Sequence, residues 1–155
     1  MKTILMTAFV AAALTAAAPA VGVWTLNVAK SKGLTTVPKS QVVTTTQEGD
    51  TLTQETRVVA ADGTESSRKV VLIRDGKEHP ITSSGGGVPG MPRYDSYVSR
   101  DTGGHTSMSE FKKGGKVLRT VHVTYSKDGK TRTVAAKGVD EQGKAYETLS
   151  VYERQ

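Results

Sequence analysis

Beyond residue 20, apolar and polar residues alternate in short runs, which is the period of a β-strand with one buried face. The clearest run is 117–125, where one face carries Val117, Arg119, Val121, Val123 and Tyr125. Short segments containing Gly and Asp separate these runs, including Asp75-Gly76 and Asp128-Gly129. Asp-Gly is a strong hairpin signal because both residues tolerate the positive φ of a tight turn. The pattern predicts an all-β protein.

The pattern predicts about ten strands, each joined mainly to the next by a short link. The predicted ranges are 22–27, 41–47, 51–59, 65–73, 78–82, 93–99, 105–112, 116–125, 131–139 and 145–154. Such links favour an antiparallel meander, and closure of the sheet removes exposed edges. We therefore expect an up-and-down barrel of about 8–10 strands. The alternative, a two-sheet sandwich, usually needs longer crossing connections.

Composition supports a single β domain over residues 21–155. This part has 18 Val, 18 Thr and five Tyr, but only six Leu, two Ile and one Phe. Residues with β-branched or aromatic side chains fit a pleated sheet. The chain has no cysteine, so no disulfide supports the domain and the core alone must hold it.

Residues 1–20 have the features of a signal peptide. Lys2 gives a positive start, residues 4–17 are apolar apart from two threonines, and Ala18-Pro19-Ala20 fits the small-x-small cleavage rule. Cleavage after Ala18 would put Pro19 next to the scissile bond, so we expect cleavage after Ala20. The alternative, an uncleaved membrane anchor, needs about 20 apolar residues. The prediction is a bacterial periplasmic or secreted protein with no stable membrane insertion after cleavage.

Charge and chemistry exclude several classes of function. Removal of Lys2 lowers the formal net charge from +6 to +5, and the basic residues are scattered rather than clustered. The densest basic pieces, 112–113 and 127–132, lie beside predicted turns and are read as solvated hairpin ends, so no nucleic-acid partner is expected. His79, His105 and His122 lie on separate strands without the paired spacing of zinc ligands. The sequence thus predicts no enzyme, no metal site and no cofactor.

The segment 83–92 is the longest Gly-rich piece beyond residue 20. It lacks the Gly-Lys-Ser/Thr that a phosphate-binding loop needs, so a hairpin loop is the better interpretation. Val88 and Met91 are its only large apolar residues. If the loop borders a ligand portal, these two are the candidate gate residues.

The first strand carries the only tryptophan of the chain, Trp24. Trp24, Leu26 and Val28 fall on one face of an extended segment, which predicts a buried anchor. We expect Trp24 at the closed end of the barrel, beneath the last strand, with Arg154 stacked on it. The alternative is an ordinary core tryptophan with Arg154 in water.

The two ends of the chain resemble those of known barrel proteins. Gly22-x-Trp24-x-Leu26, the segment 29–32 (Ala-Lys-Ser-Lys) and the ending 151–155 (Val-Tyr-Glu-Arg-Gln) are similar to those of a group of small exported bacterial proteins. They also resemble lipocalins and fatty-acid-binding proteins, the calycin barrels. The resemblance implies a barrel that encloses a cavity for a small hydrophobic or amphipathic ligand. Residues 30–39 are too short for the helical lid of fatty-acid-binding proteins, so none is expected.

The resemblance also suggests where a ligand would bind. Fatty-acid-binding proteins hold the ligand carboxylate with an Arg-x-Tyr on the last strand, and the matching positions here are Ser150-Val151-Tyr152. Arg119 is the candidate to supply the missing charge, because a buried lone arginine either binds an anion or must face water. Tyr125 and Tyr152 are the candidate tyrosines; alternatively, both rings simply fill the core. Two functions stay open: a ligand carrier or sensor, and a filled barrel that acts through its surface as an interaction, inhibitor or envelope module.

Overall fold

The computed structural model describes residues 19–84 and 92–155. In these ranges the chain forms eleven strands and one short 3₁₀ turn. The strands are β1 (Gly22–Leu26), β2 (Ser40–Glu48), β3 (Thr51–Val59), β4 (Glu65–Ile73), β5 (Asp75–Pro80), β6 (Ser83–Ser84), β7 (Ser96–Gly103), β8 (Thr106–Lys113), β9 (Lys116–Tyr125), β10 (Thr131–Val139) and β11 (Ala145–Arg154). The 3₁₀ turn is Val28–Lys30.

All strands belong to one antiparallel sheet in the order β5-β7-β8-β9-β10-β11-β1-β2-β3-β4-β6. The two ends of the chain meet in this sheet, since β1 pairs with β11 and Leu26 lies opposite Tyr152. The sheet curls into a nearly closed barrel. The prediction of an all-β, antiparallel, lipocalin-like barrel without a helical lid is confirmed for the residues described.

The barrel closes where β4 leads into β5, and here a predicted hairpin is wrong. Asp75-Gly76 does not reverse the chain: β4 pairs with β3, whereas β5 pairs with β7 on the far side of the gap. Gly76 has the expected positive φ of +77°, but it lies in a bulge between Asp75 and Glu78. One bent segment therefore supplies strands to both sides of the gap.

Side chains complete this closure. The backbone N–H of Ile73 donates to the Tyr97 hydroxyl at 2.8 Å, which joins β4 to β7 directly. Arg74 lies between β4 and β5 and forms an ion pair with Asp101 at 2.9 Å. It also donates to the Gln47 side chain at 2.7 Å. These contacts join the two sides of the gap between β4 and β7 at the end of the barrel where β1 begins.

A smaller correction concerns the end of β1. The strand stops at Leu26, and Val28 begins the 3₁₀ turn instead of continuing the apolar face of Trp24. The Asn27 side chain accepts a hydrogen bond from the backbone N–H of Lys30 at 3.1 Å. Asparagine commonly caps turns in this way, and here it outweighs the alternating pattern.

The pairing register and the burial of the side chains together define the face of each strand that points into the barrel. At the end where β1 begins, here called the closed end, the interior is filled by Trp24, Val43, Leu52, Leu72, Tyr97 and Tyr125. Toward the other end, inward positions keep intermediate solvent exposure. These positions, here called the lumen, include Gln41, Thr56, Val58, Arg68, Phe111, Arg119, Val134, Tyr146, Thr148 and Ser150. The interior is thus packed at one end and accessible at the other.

Candidate functional site

Three arginines point into the barrel from three different strands: Arg68 on β4, Arg119 on β9 and Arg132 on β10. In a strand, residues two apart share a face. Arg68 therefore shares the face of Leu72, Arg119 that of Val121, and Arg132 that of Ala136, and these three partners are buried. The geometry makes the barrel interior a cationic site, and the three arginines are here called the arginine cluster.

Arg132 is the most buried of the three, with a relative exposure of 6%. Its register partners are Tyr125 on one side and Tyr152 on the other. The guanidinium carbon lies 5.3 Å from the centre of the Tyr152 ring, a cation–π distance. Its Nε and Nη1 atoms are buried without a hydrogen-bond partner among the residues described. Two strong donors are thus free inside the protein.

Arg119 lies further toward the lumen. Its guanidinium carbon is 5.8 Å from the centre of the Phe111 ring, and its buried Nε also has no partner within the described ranges. Tyr94 and Tyr146 also have buried hydroxyls without a hydrogen-bond partner among the described residues. Burial and the neighbouring Tyr146 raise the pKa of Tyr94 to about 12, so its hydroxyl stays protonated at neutral pH. Arg119 and these two hydroxyls add donors to the same region.

Arg68 reaches the cluster from the opposite wall. In the sheet order, β4 and β9 are six strands apart, which places their side chains across the barrel from each other. Burial lowers the pKa of Arg68, and the positive charge of Arg119 lowers it further. The two guanidiniums therefore interact across the interior although they come from different walls.

Tyr152 lies among all three arginines. Its hydroxyl accepts a hydrogen bond from the Gln41 side-chain amide at 2.7 Å. Burial raises the pKa of Tyr152, whereas the charges of Arg132, Arg119 and Arg68 oppose that rise, in decreasing order. The Tyr152 hydroxyl is therefore close enough to all three arginines to be affected by their charges.

No carboxylate balances this charge in the described parts of the chain. The six ion pairs there involve Lys30, Arg57, Arg74, His79, Lys112 and Lys137, and none includes the arginine cluster. Burial of an unpaired cation costs free energy. Guanidinium groups also match carboxylate and phosphate oxygens with paired, charge-assisted hydrogen bonds. The arrangement can therefore accommodate a negatively charged group.

The candidate residues from the sequence divide between two places. The structure places Arg119 and Tyr152 in the cationic interior, so Arg119 does not face bulk water. Tyr125 instead packs at the closed end, with its ring centre 5.6 Å from that of Trp24. It is six positions from Arg119 along β9, a Cα separation of about 20 Å, and it lies directly opposite Arg132 on β10, so it borders the Arg132 side of the arginine cluster. The candidate gate residues Val88 and Met91 lie outside the described residues.

Trp24 and Arg154 form the anchor of the closed end. Trp24 is fully buried, and the Arg154 guanidinium lies 4.3 Å from the centre of its ring. The same guanidinium donates to the carbonyl oxygens of Gly129 at 2.6 Å, Val21 at 2.6 Å and Pro19 at 3.0 Å. A small cleft of about 110 Å³ beside Ala20 and Arg74 is well below the size of a typical ligand pocket. This end of the barrel is structural.

Sequence reasoning missed two of the three arginines. The segment 127–132 was read as a solvated hairpin end, but its last residue, Arg132, is buried. The alternating pattern could have predicted that both arginines face the interior. Arg132 is in phase with Val134 and Ala136, and Arg68 is in phase with Val70 and Leu72. Tyr94, Tyr146 and Gln41 gave no comparable signal, since their place depends on the register of distant strands.

Residues 19–84 and 92–155 also bear on metal binding and on helices that could cross a membrane. No group of three potential metal ligands occurs there; His79 pairs with Asp75 at 2.8 Å. Nor do these residues include a helix that is long and apolar enough to cross a membrane.

Comparison with known proteins gives a likeness in fold. No protein-family model matches the chain, and no curated protein matches it in sequence. Among solved structures, the crystal structure of zebrafish ileal bile acid-binding protein complexed with cholic acid is similar, with a TM-score of 0.51 and 13% identity. The match covers 88% of this chain and 99% of the zebrafish chain. The likeness shows that the chain has a similar barrel fold.

Proposed function

We propose that this protein is an exported carrier or sensor that binds a small amphipathic anion inside its barrel. The polar end of the ligand lies against the arginine cluster and Tyr152. One observation carries the proposal: three inward guanidiniums have no carboxylate partner among the described residues, and Arg132 is almost completely buried. A ligand anion would supply the missing counter-charge.

The lumen also offers apolar surface to such a ligand. Phe111, Val123 and Val134 pack on the core but keep intermediate exposure, so part of their apolar surface is available for contact. Apolar burial favours binding by roughly 25 cal/mol per Å². The zebrafish protein with a similar fold is complexed with cholic acid, which supports a small amphipathic ligand for this fold. Export rests on the signal-like features of residues 1–20.

Binding is tested with a fluorescent fatty-acid analogue. Saturable binding to the wild type, with affinity at least tenfold lower in Arg119→Gln, is expected. Arg57→Gln is the matched control, because Arg57 is an arginine on the outer face of β3 with 77% side-chain exposure. Native mass spectrometry of protein purified from its own host would then look for the bound molecule.

The competing function is a barrel that acts through its surface as an interaction, inhibitor or envelope module. The packed closed end around Trp24 supports it, since small barrels can fill their interiors with side chains. Failure of the wild type to bind any amphiphile would favour this function. Equal loss of binding in Arg57→Gln and Arg119→Gln would place the ligand outside the lumen.

A further inference from the structure

The positive charge in the barrel exceeds what a single carboxylate can neutralise. The arginine cluster carries three positive charges, and none of the ion pairs in the described residues includes it. A fatty acid brings one negative charge. Because unpaired buried charge is costly, such a ligand would leave two guanidiniums without a partner.

We propose that the preferred ligand is an amphiphile whose head group carries two negative charges, as a phosphate monoester does. This inference rests on the proposed function and specifies its ligand class. Phosphate monoesters carry about −1.5 to −2 charge at pH 7 and three acceptor oxygens. Three acceptors suit donors that come from different walls of the barrel, because each oxygen can bind a different side chain.

The donors come from different strands and different levels of the barrel, with Tyr152 between them. Arg132 offers its free Nε and Nη1 from beside Tyr152, and Arg119 its free Nε. Arg68 approaches from the opposite wall, six strands away in the sheet. The Tyr152 hydroxyl already accepts a hydrogen bond from Gln41, and its own proton can turn from Ser150 to a ligand oxygen. A planar carboxylate has only two oxygens for these groups.

The test compares ligands of equal chain length that differ in head-group charge. Dodecyl phosphate, dodecanoate and the neutral dodecyl maltoside compete with the fluorescent fatty-acid analogue at pH 7.5 and fixed salt. We expect dodecyl phosphate to bind about tenfold or more tightly than dodecanoate, and dodecyl maltoside most weakly. Arg68→Gln should reduce this preference, whereas Arg57→Gln on the outer face should leave it unchanged.

The outcomes separate this inference from the proposed function. If dodecanoate binds as tightly as dodecyl phosphate, the two-charge head group is refuted and the carrier remains. If neither anion binds, both proposals fail. If the preference persists in both Arg68→Gln and Arg68→Met, with folding verified by circular dichroism, the third charge does not contact the head group and the inference is wrong.

A different observation bears on processing of the chain. Pro19 and Ala20 are packed into the closed end: Ala20 is 1% exposed, and its carbonyl oxygen accepts the indole N–H of Trp24 at 3.1 Å. The carbonyl oxygen of Pro19 accepts from Arg154. Cleavage after Ala20, as the sequence predicts, would remove both acceptors. It would also create a charged amino group on Val21, whose carbonyl already binds Arg154.

We infer that the mature chain keeps Pro19 and Ala20, and that the leader is cut upstream of the Ala18–Pro19 bond, where no proline follows the scissile bond. A buried indole N–H without an acceptor is unfavourable, and two neighbouring positive charges repel each other. The inference depends on export of the chain, but not on ligand binding. It assigns these two residues to the fold instead of to the leader.

The intact mass of the exported protein decides the matter. A mass that includes Pro19 and Ala20, without the apolar segment 4–17, is expected. A chain starting at Val21, or one that keeps its whole leader, would refute the inference. Chains released from a fusion at Pro19 and at Val21 provide the second measurement: the shorter form should melt roughly 5 °C lower or more. Equal melting temperatures would show that the two residues do not stabilise the closed end.

Discussion

Replacement of Arg132 by methionine should stabilise the barrel while it weakens ligand binding. Arg132 is 6% exposed, and two of its three guanidinium nitrogens have no partner in the described structure. Replacement of buried charges by apolar residues of similar volume often stabilises proteins by about 1–4 kcal/mol. The cation–π contact with Tyr152 offsets part of this, by about 0.5–2 kcal/mol. The net expectation is a gain of about 1–2 kcal/mol.

Urea unfolding and thermal melting of the ligand-free proteins measure this effect. A gain of this size corresponds to a rise in melting temperature of roughly 4 °C per kcal/mol for a domain of this length. Arg57→Met is the control: its arginine is exposed, so its free energy of unfolding should change by no more than about 0.5 kcal/mol. Ligand affinity should fall in Arg132→Met and not in Arg57→Met.

Loss of stability in Arg132→Met by more than about 1 kcal/mol would refute this reasoning. It would mean that the guanidinium has partners that satisfy it and that it belongs to the structural core. A gain in stability with unchanged ligand affinity would refute only the claim that Arg132 binds the ligand. Bound ligand must be removed first, because a ligand that binds only the folded state raises its apparent stability.

Three further predictions concern the frame around the site. Trp24→Ala should lower the free energy of unfolding by about 3–5 kcal/mol in urea titrations, because it empties the closed end; an unchanged melting temperature would contradict that role. Gly138→Ala should cost about 1–3 kcal/mol, because its Cβ would lie 2.5 Å from the backbone oxygen of Leu118, and a mutant as stable as the wild type would show that β9 can shift. Since burial raises the pKa of Tyr94 to about 12, its stabilising contribution should be complete below the unfolded pKa of about 10 and be lost as the pH rises through 12. Tyrosinate absorbance checks this, and complete tyrosine ionisation near pH 10 in the folded protein would refute it.

Alternation predicted ten of the eleven strands, because one buried face imposes a period of two on each of them. The two-residue strand β6 was missed, since it begins the segment 83–92 that was interpreted as a loop. It could not identify the partner of each strand. Asp75-Gly76 shows the consequence: its turn signal is real, since Gly76 has a positive φ, but the chain uses it to cross the gap between β4 and β7. Local propensity describes a turn, whereas the choice of neighbour depends on how the whole sheet closes.

The same limit, that a sequence does not show which strands are neighbours, explains why only part of the candidate site was predicted. Alternation identified Arg119 as an inward candidate on a strongly patterned strand. Arg132 was misread because it stands at the end of a basic, Gly-containing segment, where charged residues are usually solvated. The contact of Tyr152 with Gln41 joins residues 111 positions apart and follows only from the pairing of β1 with both β2 and β11. When residues from distant strands meet inside a barrel, the distances between them along the sequence follow no recognisable pattern.

The two ends of the barrel interior differ in what holds them together, and this difference is an argument for function. At the closed end, Arg154 is fully engaged: it stacks on Trp24 and donates to three carbonyl oxygens. Arg132 is also buried and also stacks on an aromatic ring, yet two of its donors have no partner in the described structure. The same chain therefore satisfies a buried guanidinium where the structure needs one. Buried donors without a partner cost free energy that the fold does not recover, and the proposed anionic ligand would satisfy them.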